Sequence, residues 1–185
     1  MTIKINAYGL TGNMGCGKST VAKILKKRKN ICVLDCDQIS KEILFDIKNK
    51  SKIEKILGKE VGEAEIIFKN PIKKQKLEEF IHPKVWQKVR KEIKNGSKNT
   101  IYIVESALIY ETKMESIFKG IILVTCSKKE QFKRIKVRNN WTGKQIKERL
   151  KTQMSDKNKK KNIFIKIDTN CSMKELESKI EKIYF

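Results

Sequence analysis

The sequence predicts an α/β protein with a five-stranded, mostly parallel β-sheet and helices on both faces. Five short apolar runs are separated by stretches that carry helix signals, and this alternation of strand and helix is typical of a parallel sheet. Several runs are almost continuously apolar, as expected of strands buried on both faces. The predicted strands span residues 3–10, 31–35, 100–105, 120–126 and 163–168.

Four capping boxes indicate where helices begin. In a capping box, a Ser or Thr and a Glu or Gln three residues later satisfy each other's free backbone amides. Further helices are predicted over residues 19–29, 38–45 and 84–94, the last because Pro83 suits a first helical turn. The capping boxes are Ser51/Glu54, Ser127/Glu130, Thr142/Gln145 and Ser172/Glu175.

Two long stretches interrupt the alternation of strand and helix. The second and third strands are separated by far more residues than a single crossover helix needs, and both prolines lie there. We interpret residues 38–99 as a helical insert, and the polar residues 137–162 as a mobile helical lid. The predicted core is then 1–37, 100–136 and 163–185, and the chain 1–185 is one domain with insertions.

The chain is strongly basic, with 43 Lys and Arg against 21 Asp and Glu and a formal net charge of +22. The lysines are scattered through every segment, and arginine, the better reader of bases, is scarce. Aromatic residues are only 7% of the chain, too few to interleave with cations as in RNA-binding surfaces. We therefore predict a solvated, lysine-rich surface and no nucleic-acid partner.

Cysteine usage and hydropathy indicate the cellular compartment. The five cysteines form no C-x-x-C pair, and a single His leaves little for metal ligation, so neither a zinc site nor a disulfide framework is expected. No apolar stretch approaches the about 20 residues that a membrane span needs. The first residues alternate like a strand and do not resemble a signal peptide. We expect a cytoplasmic protein without a membrane partner.

Residues 12–19 read GNMGCGKS and fit the phosphate-loop pattern G-x-x-x-x-G-K-[ST]. Glycines let the backbone turn its N–H groups towards phosphate oxygens, and the following helix presents its positive end to the same anion. We predict that Lys18 contacts the β- and γ-phosphates of a nucleotide and that the Ser19 hydroxyl binds Mg²⁺. The predicted nucleotide-binding residues are Asn13, Met14, Gly15, Cys16, Gly17, Lys18, Ser19 and Thr20.

Two carboxylates lie where predicted strands end, which is where ligands bind in open α/β sheets. Asp37 follows the second strand and is predicted to accept or orient the proton of an acceptor hydroxyl. The alternative is that Asp37 caps the helix over 38–45. Glu105 ends the third strand and is predicted to hold Mg²⁺ through water or to contact the acceptor, with a solvated strand end as the alternative.

Arg134 and Arg138 are four residues apart and therefore share one face of the helix that begins at Ser127. Arginines beside a lid can fold over a nucleotide and neutralise the charge on the transferred phosphoryl group. The alternative is a pair of surface arginines at helical spacing. His82 by itself is interpreted as a structural hydrogen-bonding residue.

Taken in order along the chain, these motifs resemble the dephospho-CoA kinase family. The resemblance covers nearly the whole chain and includes the GLTG start of the phosphate loop, Asp35-Cys36-Asp37, the His82-Pro83 element, residues 105–111 (ESALIYE) and residues 130–134 (EQFKR). Residues 149–154 (RLKTQM) and 168–170 (DTN) resemble two later family segments.

The resemblance implies an enzyme that uses ATP and Mg²⁺ to phosphorylate the ribose 3′-hydroxyl of dephospho-CoA, and we expect a monomer. It implies that Asp37 is the base, that Arg134 is the lid arginine and that His82 lies in the CoA-binding subdomain. The sequence departs from the family pattern at Glu105, where Asp is usual, at Ala107, where Pro is usual, and over 58–65, which lack the usual arginine. The alternatives are another small-molecule kinase with a phosphate loop, similar to shikimate kinases or nucleotide kinases, and a basic nucleic-acid-binding protein.

Overall fold

A computed structural model of the protein describes residues 6–58 and 70–185, in which five strands form one parallel sheet. The predicted class and strand number are confirmed, and residues 3–5 of the first predicted strand lie outside the described residues. The sheet order is β2-β3-β1-β4-β5. The strands are β1 Ala7–Thr11, β2 Ile31–Asp35, β3 Ile101–Glu105, β4 Gly120–Thr125 and β5 Ile163–Asp168.

The described residues contain seven α-helices and two short 3₁₀ helices, Ile47–Asn49 and Glu115–Ile117. Every helix in these two ranges is too short or too polar to cross a membrane. The α-helices are α1 Lys18–Lys26, α2 Cys36–Phe45, α3 Lys50–Leu57, α4 Pro71–Asn95, α5 Lys128–Asn139, α6 Gly143–Lys151 and α7 Met173–Glu181.

Three of the four predicted capping boxes lie at helix starts. Thr142 and Ser172 form complete capping boxes at α6 and α7, and the Ser127 hydroxyl accepts a hydrogen bond from the Glu130 amide at the start of α5. The Ser51/Glu54 prediction is wrong. Helix α3 begins one residue earlier, so Ser51 lies inside its first turn.

The predicted helix 84–94 is part of the longer helix α4, and Pro83 lies in its interior rather than at its start. The start is at Pro71, where a missing N–H costs no hydrogen bond. The preceding Asn70 caps the helix, because its side-chain Oδ1 accepts hydrogen bonds from the amides of Ile72 and Lys73. The preference of proline for the first turn of a helix therefore applies to Pro71 and not to Pro83.

The described chain divides into two compact units, one within 1–34 and 96–185 and the other within 35–95. The first unit contains the sheet apart from the last residue of β2, together with α1, α5, α6 and α7. In the second unit, α2 and α3 each pack against α4, around Ile53, Leu57 and Val89. The functional roles predicted for the insert and the lid stay predictions.

Apolar side chains cover both faces of the sheet. On one face, α1 and α7 enclose a core that includes Leu10, Leu25 and Ile180. Gly9 points to the opposite face, because successive strand residues alternate. There a Cβ at Gly9 would lie 2.6 Å from Ile121 Cδ1 and 2.8 Å from Ile109 Cδ1, so a larger residue would have to displace these two side chains.

Burial of the strands follows their position in the sheet. Every residue of β4 is buried, as the apolar run predicts. Strand β5 is an edge strand and leaves Ile163 and Phe164 exposed, at 37% and 42%. The central strand β1 lies between β3 and β4. From β1 the chain continues to β2 on the β3 side of the sheet, whereas β4 and β5 lie on the other side. The strand order therefore reverses at β1, and α/β sheets bind ligands at such switch points.

Candidate active site

The glycine-rich segment 12–17 joins β1 to α1 and has little room for side chains. A Cβ at Gly12 would lie 2.2 Å from the Val124 carbonyl oxygen of β4. Gly15 has φ +80° and would place a Cβ 2.7 Å from Ile135 Cγ1 of α5. Both positions therefore require glycine, for a close approach at Gly12 and for a left-handed backbone at Gly15. The neighbouring strand and helix thus fix the path of the loop.

The loop leads directly into the amino terminus of α1. Gly17 occupies the cap position with φ 88°, no side chain caps the helix there, and the first turn carries no acidic residue. The backbone amides of Lys18 and Ser19 therefore begin the helix in a positively polarised environment. This arrangement suits an anion such as a phosphate group.

Ser19 and Glu105 are brought together across the sheet. Strand pairing places Leu10 opposite Glu105, so β3 ends beside the start of the phosphate loop. The Ser19 hydroxyl donates a hydrogen bond of 3.0 Å to Glu105 Oε1. Glu105 is only 9% exposed, so the alternative of a solvated strand end is wrong. A hydroxyl and a carboxylate form a pair of hard oxygen ligands, which Mg²⁺ prefers.

Arg134 of α5 lies beside the start of α1. Its Nη1 would be 3.6 Å from a Cβ at Gly17. Nη1 donates to Thr169 Oγ1 at 2.8 Å and Nη2 donates to the Thr169 carbonyl at 2.9 Å. The Thr169 hydroxyl in turn donates to the Cys16 carbonyl of the loop at 3.0 Å. The guanidinium is therefore held in one place next to the loop.

Arg138 lies one helical turn further along α5 and is placed differently. Its side chain is exposed, and its Nε donates a hydrogen bond of 3.0 Å to the side chain of its neighbour Asn139. The structure brings Arg134, but not Arg138, into contact with residues that hold the phosphate loop. The predicted role of Arg138 in binding the nucleotide stays a prediction.

The tip of the loop is held by side chains from α5 and from the segment that follows α6. The Met14 carbonyl accepts a hydrogen bond of 2.8 Å from Gln131 Nε2, and the Met14 amide donates one of 2.9 Å to Gln153 Oε1. Lys159 Nζ donates to Asn13 Oδ1 at 2.6 Å. Side chains from α5 and from the segment after α6 therefore hold Asn13 and Met14 in place.

Two thiols meet beneath the loop. The Sγ atoms of Cys16 and Cys126 are 3.3 Å apart, and all five cysteines of the chain are free thiols. The hydrogen bond to Cys126, together with burial, raises the pKa of the Cys16 thiol. The same hydrogen bond lowers the pKa of Cys126, and the positive charge of Arg134 lowers it further. Cys126 is therefore the more acidic thiol of the pair.

The remaining predicted site residues, Asp37 and His82, belong to the second compact unit. The cap of α2 is Asp35, whose Oδ1 accepts hydrogen bonds from the amides of Asp37 and Gln38 at 2.8 and 3.2 Å. The alternative in which Asp37 caps this helix is therefore wrong. Asp37 is exposed in the first turn of α2, and His82 is half-buried on α4. The catalytic and binding roles of both residues stay predictions.

Sequence reasoning missed several residues that shape the site. Gln131 lies three residues before Arg134 on α5, and Gln153 lies in the segment RLKTQM that resembles a family motif, so both had a motif signal. Lys159 had no motif signal, because it is one of several lysines close together in the sequence. The other lysines of this run are exposed. Thr169 lies in the segment DTN, which resembles a family segment, but its contacts with Arg134 and Cys16 join residues far apart in the sequence.

Comparisons with known proteins identify the family. The dephospho-CoA kinase family model matches residues 7–175. The dephospho-CoA kinase of Lactobacillus acidophilus is 29% identical over 94% of this chain and 93% of its own length. That of Prochlorococcus marinus strain MIT 9312 is 30% identical over 95% and 93%. Among solved structures, dephospho-CoA kinase from Campylobacter jejuni has a TM-score of 0.64 at 26% identity, covering 96% of this chain and 94% of that one.

These matches do not favour the shikimate-kinase-like or nucleic-acid-binding alternatives. The family match begins in β1, includes the phosphate loop and the helix of Arg134, and ends in α7. A match of this extent shows that the chain belongs to the dephospho-CoA kinase family.

Proposed function

We propose that this protein transfers the γ-phosphoryl group of ATP to the ribose 3′-hydroxyl of dephospho-CoA, giving CoA and ADP. The family match over residues 7–175 is the observation that carries this proposal. The phosphate loop and the fixed Arg134 support it, because phosphoryl transfer depends on positioning and on stabilisation of negative charge.

The triphosphate binds in the phosphate loop, residues 12–19, with backbone amides and the amino terminus of α1 directed at its oxygens. Lys18 contacts the β- and γ-phosphates. Arg134, held by Thr169 beside the start of α1, neutralises charge on the phosphoryl group during transfer. Arg138 adds a weaker contact with the nucleotide from its exposed position on α5.

Mg²⁺ fits the oxygens of Ser19 and Glu105, which lie within hydrogen-bonding distance of each other. Ser19 would hold the ion directly, and Glu105 would hold it through water or contact the acceptor. When bound, the ion neutralises negative charge on the β- and γ-phosphates. Glu105 replaces the usual family Asp here and supplies the same carboxylate on a longer side chain.

The acceptor binds to the helical insert, where Asp37 accepts or orients the proton of the 3′-hydroxyl and His82 contacts the substrate. Asp37 suits this role because its carboxylate is exposed in the first turn of α2, while Asp35 supplies the helix cap. The lid within residues 137–162 closes over the nucleotide and excludes water, which would otherwise hydrolyse ATP. We propose a cytoplasmic monomer that needs neither nucleic acid nor membrane.

An acceptor screen tests this proposal. Purified protein is incubated with ATP, MgCl₂ and one of four acceptors: dephospho-CoA, shikimate, AMP or adenosine. The expected result is CoA and ADP in equal amounts with dephospho-CoA and no phosphorylated product with the others. Absence of CoA, or faster phosphorylation of another acceptor, would contradict the proposal.

A further inference from the structure

Lys159 is the only buried lysine among the residues that the structure describes. It is 1% exposed, although its neighbours Lys157, Lys160 and Lys161 are exposed. Burying an ammonium group is costly unless the surroundings supply hydrogen-bond acceptors and an opposite charge. The position of Lys159 therefore needs an explanation that its surface neighbours do not.

The surroundings of Lys159 are polar and partly unsatisfied. Its Nζ lies 2.6 Å from Asn13 Oδ1 and 3.9 Å from Glu111 Oε1. One oxygen of Glu111 and one of Asp156 are buried without a hydrogen-bond partner in the described chain. Burial lowers the pKa of Lys159 and raises that of Asp156. Burial of these charged groups therefore lowers the stability of the fold.

Stability alone does not account for this cluster. Replacing a buried ion pair by apolar residues is often neutral or stabilising. The ion pair with Glu111 is also long, whereas the contact with Asn13 is short and charge-assisted. The strongest contact of Lys159 is thus with the phosphate loop rather than with its counter-ion.

The contact reaches the tip of the loop. An ammonium group only donates hydrogen bonds, so it fixes the Asn13 amide with Oδ1 towards Lys159 and the donor end of the amide away from it. The backbone carbonyl of Asn13 accepts the Cys16 amide at 3.1 Å, which closes the turn of the loop. Gln153, six residues before Lys159, binds the next loop residue: its side-chain Oε1 accepts a hydrogen bond from the backbone amide of Met14.

We propose that Lys159 is a positioning residue for ATP, which holds the phosphate loop in its binding conformation through Asn13. This inference rests on the proposed use of ATP by the loop and concerns binding of the nucleotide, not transfer to the acceptor. Removing the lysine leaves the Asn13 amide free to rotate. Nucleotide binding then has to order this side chain, which weakens the affinity for the nucleotide.

The first test compares K159M with K160M, which removes the same charge one residue away at an exposed position. Binding of a nonhydrolysable ATP analogue with Mg²⁺ is measured by calorimetry. K159M is expected to raise Kd about tenfold, as for loss of one charge-assisted hydrogen bond. K160M is expected to bind as the wild type does. In turnover, K159M should raise KM for ATP and leave KM for dephospho-CoA unchanged.

Two further variants separate loop positioning from charge balance and from folding. K159M/E111Q removes both charges of the pair, and the introduced glutamine keeps a side-chain carbonyl that accepts the Met154 amide, as Glu111 Oε1 does in the wild type. N13A keeps the buried pair and removes the Asn13 side chain, including its contact with Lys159. Both should bind the analogue about tenfold more weakly than the wild type, and N13A/K159M should bind no more weakly than N13A alone.

These outcomes decide the proposal independently of the acceptor. Wild-type affinity in N13A, or in folded K159M/E111Q, would overturn it, as would additive losses in the N13A/K159M double variant. A lower melting temperature with unchanged Kd in K159M would assign the lysine to stability alone and would also overturn it. A wild type that binds the analogue but makes no CoA would contradict the proposed function while leaving this comparison intact.

Discussion

The Ser19 hydroxyl donates a hydrogen bond of 3.0 Å to the carboxylate of Glu105, which joins the first turn of α1 to the end of β3. The two residues are brought together by the parallel pairing of β1 with β3, which sets Leu10 opposite Glu105. The contact places a buried carboxylate at the phosphate loop. It also makes Glu105 the residue through which the proposed Mg²⁺ site is best tested.

The first prediction concerns the charge of Glu105. E105Q keeps an oxygen that accepts the Ser19 hydrogen bond but removes the negative charge that favours a divalent cation. We expect the Mg²⁺ concentration for half-maximal activity to rise about tenfold, the order of effect seen when metal ligation is weakened. The exposed residue Glu181 of α7 offers a matched control, E181Q. Equal Mg²⁺ dependence in the wild type and E105Q would remove Glu105 from the site.

The second prediction concerns Arg134 and its anchor. R134M is expected to lower kcat by about 10²–10³-fold, because a positioned cation stabilises charge that develops in the transition state. T169V removes one of the two hydrogen-bond acceptors of the guanidinium and should give a smaller loss. K129M, an exposed site on the same helix, is the control. A kcat for R134M close to that of K129M would show that Arg134 does not act in transfer.

The third prediction separates two neighbouring carboxylates. D37N should lower kcat by about 10²–10⁴-fold, the usual cost of losing a general base, with little change in stability. D35A removes the cap of α2 and should lower the free energy of unfolding by about 1 kcal/mol. Denaturant titration and steady-state kinetics on both variants measure the two effects. A D37N enzyme with wild-type kcat would exclude Asp37 as the base.

The fourth prediction concerns the two thiols beneath the loop. Only a thiolate reacts rapidly with iodoacetamide. Because the pKa of Cys126 is lowered from its ordinary value of 9.0 while that of Cys16 is raised, Cys126 should be alkylated first. The pH midpoint of Cys126 alkylation should lie below 9.0 and should rise in R134M, which lacks a charge that stabilises the thiolate.

Peptide mass spectrometry at a series of pH values identifies the modified cysteine. Faster labelling of Cys16 would contradict the assignment of the more acidic thiol. An unchanged midpoint in R134M would show that the Arg134 charge does not reach Cys126.

Local patterns in the sequence predicted the parts of the site that depend on neighbouring residues in the chain. The phosphate loop is readable because its glycines are required by backbone geometry, as at Gly15. The capping boxes at Thr142 and Ser172 are readable because each involves residues only three positions apart. The wrong start of the helix at Pro83 arose because a proline can also lie inside a long helix, as in α4, where the flanking residues Ile81 and Val85 are buried and Pro83 is exposed.

Burial and long-range contacts could not be read from the sequence. Glu105 stands at a strand end, and only the pairing of β1 with β3 brings it to Ser19. Lys159 is one of several consecutive lysines, and nothing in its neighbours distinguishes a buried member from exposed ones. Its ammonium group contacts Asn13, 146 positions earlier in the chain, and no local pattern reveals a contact at that distance. The cap of α2 by Asp35 rather than Asp37 likewise depended on where β2 ends.

The proposed reaction transfers the γ-phosphoryl group of ATP to the 3′-hydroxyl of dephospho-CoA. The most direct test follows one reaction of the wild type with ATP, MgCl₂ and dephospho-CoA by ³¹P NMR, with D37N as the control. We expect a new phosphomonoester signal that coincides with authentic CoA and grows together with ADP, and that is nearly absent with D37N. Release of inorganic phosphate with unchanged dephospho-CoA, or a phosphomonoester at another position, would contradict it.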